Sequence, residues 1–67
     1  MEQVWYKAQL WVRFKDSTSY KKLREYECSD EPVDMAKTVY NLRQEALAGE
    51  EIIAHHIRLV PLSGLLG

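Results

Sequence analysis

A chain of 67 residues is long enough for one domain and too short for two, because each of two would need its own buried core. With 46% hydrophobic and 28% charged residues, the balance is that of a globular protein and excludes a disordered chain. A formal net charge of -1 argues against a binder that works mainly by attraction to nucleic-acid phosphates, and equally against an acidic mimic of DNA, although it leaves room for a local patch.

Cys28 is the only cysteine, so no disulfide forms within the chain and a reducing, cytoplasmic setting is expected. No stretch approaches the roughly 20 apolar residues of a membrane helix, and no basic segment followed by an apolar core opens the chain, so neither a membrane span nor a signal peptide is expected. Domains below roughly 70–80 residues rarely draw more than about 3–5 kcal/mol from their core and usually add disulfides, a metal or a partner subunit.

From Val4 to Phe14 the even positions are Val4, Tyr6, Ala8, Leu10, Val12 and Phe14, and the odd ones are Trp5, Lys7, Gln9, Trp11 and Arg13. This period of two, rich in β-branched and aromatic residues, predicts a strand with its even face on a core and its odd face open. Lys15-Asp16-Ser17-Thr18-Ser19 breaks the alternation with residues that form side-chain-to-backbone turns, as a hairpin loop requires. Tyr20 to Cys28 follows as a second strand whose faces are both mixed. That pattern suits an edge strand, and a bulge near Leu23 would switch the inward parity from Leu23 to Tyr26 and Cys28.

Ser29 and Asp30 precede Glu31-Pro32, a capping residue followed by acid and proline in a first helical turn. The helix is predicted over Pro32 to Ala48. Val33, Ala36, Val39, Tyr40, Ala46 and Leu47 form its apolar stripe, Met35 and Leu42 widen it, and Gly49 suits the C′ position. After Gly49, Ile53, His55, Ile57 and Leu59 share one parity, while Ala54, His56, Arg58 and Val60 share the other. This reads as a third strand. A second helix also fits Ile53, His56, Ile57 and Val60, and the Ile and Val content favours the strand.

These elements predict an α+β domain over residues 1–61, followed by an irregular tail over residues 62–67 that carries Leu62, Leu65 and Leu66. Its order is ββαβ: a three-stranded antiparallel sheet of order 2-1-3 with one helix packed on one face, the crossover making strands two and three parallel to each other. Small intracellular and phage-encoded regulators of RNA polymerase have comparable layouts, an analogy of fold alone because no motif matches residue by residue.

The most distinctive chemistry lies on the odd face of the first strand, where Trp5 and Trp11 flank Lys7 and Gln9, with Arg13 beyond. At about 3.3 Å per residue the indoles stand roughly 20 Å apart, too far to hold one small ligand and well spaced to anchor an extended partner. Trp and Arg are frequent hot spots at protein interfaces. His56 and Arg58 of the third strand join this face. The competing explanation is that long Lys and Arg stems from neighbouring strands cover both rings with no partner at all.

Other motifs carry less. Lys7-Ala8-Gln9-Leu10-Trp11-Val12-Arg13-Phe14 partly echoes the basic-Gly-aromatic signature of RNA-recognition strands, with Lys7, Trp11, Val12 and Phe14 in place. Ala8 stands where glycine belongs and Gln9 where a stacking aromatic belongs. The cluster Tyr20-Lys21-Lys22-Leu23-Arg24 is closely followed by acidic residues that neutralise its field. His55 and His56 are adjacent on a strand, point to opposite faces and cannot share a metal ion. Cys28 sits before a helix N-terminus, where a thiolate is stabilised, but burial as a small apolar residue is the commoner outcome. Ser17, Thr18 and Ser19 show turn chemistry without a positioned base.

The expectation is therefore a non-enzymatic interaction or regulatory module with no cofactor, no metal and no membrane contact. Its face of Trp5, Lys7, Gln9, Trp11, Arg13, His56 and Arg58 would bind another protein or a second copy of the chain. The alternative is a single-stranded RNA or DNA binder that uses the same face with Lys7, Arg13 and Arg58 on phosphates.

Overall fold

The computed structural model of the chain describes residues 4–62. Its elements are β1 (Trp5–Phe14), β2 (Lys21–Ser29), α1 (Pro32–Ala48) and β3 (Ile52–Pro61). The strands form one antiparallel sheet of order β2-β1-β3, and α1 lies over its middle, touching all three strands. The ββαβ order and the α+β class expected from the pattern are observed, and the segment open to a helical reading is β3. The predicted irregular tail falls outside the described residues except for Leu62, whose amide donates to the Trp5 carbonyl at 2.8 Å. Among the described residues no helix is long and apolar enough to cross a membrane.

Period two does on β1 what it predicts. Ala8, Leu10 and Val12 are fully buried under the helix, with Tyr6 and Phe14 partly buried beside them, while the odd residues occupy the opposite face. Cys28, Leu42 and Ala46 complete a core of few side chains. Met35, Ile52 and Ile57 pack around it.

Both edge strands carry an irregularity near the hairpin end. On β2 the register jumps from Leu10↔Arg24 to Trp11↔Lys22, leaving Leu23 unpaired. The expected bulge is there, and Leu23 is 41% exposed instead of inward, because the residue that a bulge leaves over faces neither pleat squarely. On β3 the jump from Arg13↔Ala54 to Phe14↔Ile52 leaves Ile53 over. The hairpin loop is fastened by Ser17 N–H donating to the Phe14 carbonyl at 2.9 Å and by Lys15 N–H donating to the Glu51 carbonyl at 2.8 Å.

Three details of α1 differ from the sequence expectation. Its N-cap is Glu31, with no side-chain capping bond. Ser29 and Asp34 instead bind each other: the Asp34 carboxylate accepts from the Ser29 amide at 2.8 Å and from its hydroxyl at 3.0 Å. These bonds hold the Asp34 carboxyl below its ordinary range, the amide being the larger cause. At the other end Gly49 has φ -83 and ψ 116, so no left-handed turn calls for glycine. A Cβ there would meet the Ile52 Cδ1 at 2.6 Å, so a larger residue requires the end of the Ile52 side chain to move aside where the chain returns into β3.

The third difference concerns the stripe. Leu42 and Ala46 are buried and Met35 packs on the core, but Val33, Tyr40 and Leu47 are 63%, 61% and 65% exposed. The helix has more apolar surface than one narrow sheet can cover. The face that wins is the one centred on Leu42, which leaves Val33, Ala36, Tyr40 and Leu47 outside.

Candidate functional site

The sheet has one covered face and one open face. Antiparallel pairing puts directly opposed residues on the same side, so the odd residues of β1 share the open face with their partners: Glu27 and Val60 beside Lys7, Glu25 and Arg58 beside Gln9, Lys22 and His56 beside Trp11. All seven residues singled out from the sequence, Trp5, Lys7, Gln9, Trp11, Arg13, His56 and Arg58, lie on it. His55 pairs with Val12 and so faces the helix side, opposite to His56.

A connected belt of side chains crosses this face from edge to edge. The Glu25 carboxylate accepts from Lys22 Nζ at 2.9 Å and from Gln9 Nε2 at 3.0 Å, and its second oxygen lies 3.6 Å from Lys7 Nζ. These donors hold the Glu25 carboxyl below its usual range, Lys22 foremost and then Gln9. Gln9 Oε1 in turn accepts from the Trp11 indole N–H at 2.9 Å. On the far side of the indole, the His56 ring stacks at 6.4 Å with its plane 5° away, and the Arg58 guanidinium carbon stands 5.9 Å from the ring centre. Tyr20 closes the end of the belt, its ring 4.8 Å from that of His56 and tilted by 57°.

The two tryptophans therefore differ. Trp11 is half-buried and embedded in the belt, in the manner of the covered ring that the sequence allowed. Trp5 is 44% exposed and stands at the other end of β1. Arg13 lies apart from the belt, donating to the Ser17 carbonyl at 3.4 Å. Sequence reasoning missed Glu25, the hub of the network, and Tyr20. Their placement depends on the Leu23 bulge, which brings Lys22 opposite Trp11; a bulge's location on an edge strand leaves only a broken alternation as its signal.

Cys28 and Ser17 are engaged elsewhere. Cys28 is fully buried in the core, and that burial raises its thiol above the ordinary pKa, with the Asp34 charge adding to the effect. The Ser17 hydroxyl donates to the Ser19 carbonyl and accepts from its amide, both at 3.2 Å, which is turn chemistry. On the helix side, Arg24 Nε and the Tyr26 hydroxyl donate to Glu45 at 2.8 and 3.2 Å, tying α1 to β2.

Comparison of the chain with protein families, with curated proteins and with solved structures finds no match.

Proposed function

We propose that the chain is a non-enzymatic, cytoplasmic interaction module that docks another protein on its open sheet face. The observation that carries this reading is the belt from Lys22 through Glu25, Gln9 and Trp11 to His56 and Arg58. Its side chains are already held by one another, so little rotamer freedom remains to be lost when a partner arrives. Beside it, Trp5 offers a large apolar anchor of the kind that dominates protein interfaces. Lys7 and Lys22 are drawn onto Glu25, which leaves less free positive charge for phosphates and favours a protein over a nucleic acid.

The test is photo-crosslinking in the source cell, with the reactive residue placed at position 7 on the open face or at position 37 on the helix. One discrete protein adduct from position 7, absent from position 37 and lost with Trp5→Ser, is expected. Adducts to a second copy would make the face a dimer interface. No adduct from position 7 would overturn the reading.

A further inference from the structure

The two edges of the sheet are chemically unlike, and so are the two flanks of the helix above them. β2 carries Lys21, Lys22, Arg24, Glu25 and Glu27, and charges of this density discourage pairing with another strand. β3 has Arg58 as its sole Lys, Arg, Asp or Glu, and it exposes Ile53 at 54% and Leu59 at 38%. Among the described residues nothing pairs with its outer edge. At 100° per residue, Thr38 and Glu45 fall on one side of the buried Leu42, and Glu45 is bonded to β2. Val39, Ala36, Tyr40 and Leu47 fall on the other side together with one charged residue, Arg43, and there a largely apolar groove runs between α1 and Leu59 of β3.

The backbone shows which amides that edge offers. Leu62 N–H donates to Trp5 O, so Leu62 points at β1, and with the alternation of an antiparallel ladder so do Val60, Arg58 and His56. The amides of His55, Ile57 and Leu59 therefore point outward. Pro61, which has no amide proton, takes the next outward position, where a proline costs the ladder nothing.

We propose that two copies of this chain pair antiparallel along β3, around a two-fold axis normal to the sheet, into one six-stranded sheet with both helices on the same side. The strand is complementary to itself. A register centred on Ile57 sets Ile57 against its own counterpart and His55 against Leu59, joins all three outward amides into the ladder, and puts Arg58 across from His56 instead of from Arg58. The β1 strands of the two copies then lie about 14 Å apart, three strand spacings. That exceeds the 8–10 Å of directly packed helices, and Tyr40, Leu47 and Leu59 from both copies are the side chains that fill the difference. A β3 edge roughly 33 Å long and about 20 Å deep over both layers buries on the order of 600 Å² per copy. Against the roughly 800 Å² per partner of standard interfaces, this is the size of a modest dimer. The Trp-bearing open faces are untouched by the pairing and become continuous across it.

The experiment is sedimentation equilibrium of the full chain combined with amide hydrogen exchange at low and high protein concentration. The expected result is a dimer in which protection of Ile57 and Leu59 amides rises with concentration, while that of His56 and Val60 amides is already present in the monomer. Leu59→Lys and Tyr40→Lys should each weaken dimerisation at least tenfold, whereas Leu23→Lys at the opposite edge and Trp5→Ser on the open face should leave it unchanged. Should Leu59→Lys unfold by circular dichroism, Tyr40→Lys on the helix surface and the wild-type exchange pattern decide the matter alone. A wild type that stays monomeric at the high concentration, a dimer without extra protection at Ile57 and Leu59, or a dimer abolished by Trp5→Ser would each overturn the proposal.

Discussion

Trp11 on β1 and His56 on β3 stack nearly parallel, their ring centres 6.4 Å apart and their planes 5° from each other, across a directly opposed pair of the ladder. Aromatic pairs at such separations contribute about 0.5–1.5 kcal/mol beyond their area burial. A double-mutant cycle of Trp11→Ala and His56→Ala, followed by urea denaturation, should return a coupling in that range. A coupling indistinguishable from zero would mean that the two rings are neighbours without being partners.

The small core makes single truncations severe. Leu42 is the only large side chain of α1 that is fully buried, and Leu→Ala at such a site costs about 2–5 kcal/mol, comparable with the whole stability expected at this size. Leu42→Ala should therefore be largely unfolded by circular dichroism at 25 °C, while Lys37→Ala on the exposed side of the helix should change stability by less than about 0.5 kcal/mol.

Cys28 reports the same event chemically. Its complete burial and raised pKa predict that a thiol reagent modifies it only when the chain opens, because the thiolate is the reactive form. Labelling should be slow in buffer and fast in urea, and destabilising variants should speed it in proportion to their loss of stability. Rapid labelling of the stable wild type would contradict a core position for this residue.

Acid should weaken the fold through two carboxylates. Glu25 and Asp34 are both lowered from their ordinary values, 4.5 and 3.8, so each binds protons more readily in the unfolded chain. Their contribution is fully present above those values and is lost as pH falls through the lower folded-state values. Asp34→Asn should lower the melting temperature at pH 7 and flatten its decline below pH 4, since the Ser29 bonds then no longer depend on ionisation. An unchanged acid profile would show that Asp34 does not contribute to it.

Nucleic-acid binding through the open face predicts a measurable salt slope. If phosphates were contacted, affinity for single-stranded oligonucleotides would fall steeply with salt, and stacking would add roughly 1–3 kcal/mol per base. With Lys7 and Lys22 engaged by Glu25, the expected result is no salt-dependent quenching of indole fluorescence. Quenching that is lost with Trp5→Ser and weakened by Arg58→Ala would move the function to single-stranded RNA or DNA.

Local pattern was enough to determine β1 and α1 of this protein, while the segment after Gly49 stayed open between strand and helix until the structure showed β3. The alternation from Val4 to Phe14 and the cap, proline and glycine signals around Pro32 to Ala48 are properties of neighbouring residues, and they set the strand, the helix bounds and the open position of Trp5 and Trp11. What the sequence left open needed contacts between distant residues. Which stripe of α1 is buried depended on how much helix three strands can cover: Leu42 went in, and Tyr40 and Leu47 stayed out. Whether Trp11 stands free or shielded depended on the bulge at Leu23 and the register of β3, which bring Glu25 to Gln9 and His56 to the indole. Strand register is set by paired backbones and shared packing, not by either strand alone. The unlike character of the two sheet edges likewise emerged only once α1 was seen to lay a polar flank over β2 and a largely apolar one, interrupted by Arg43, over β3.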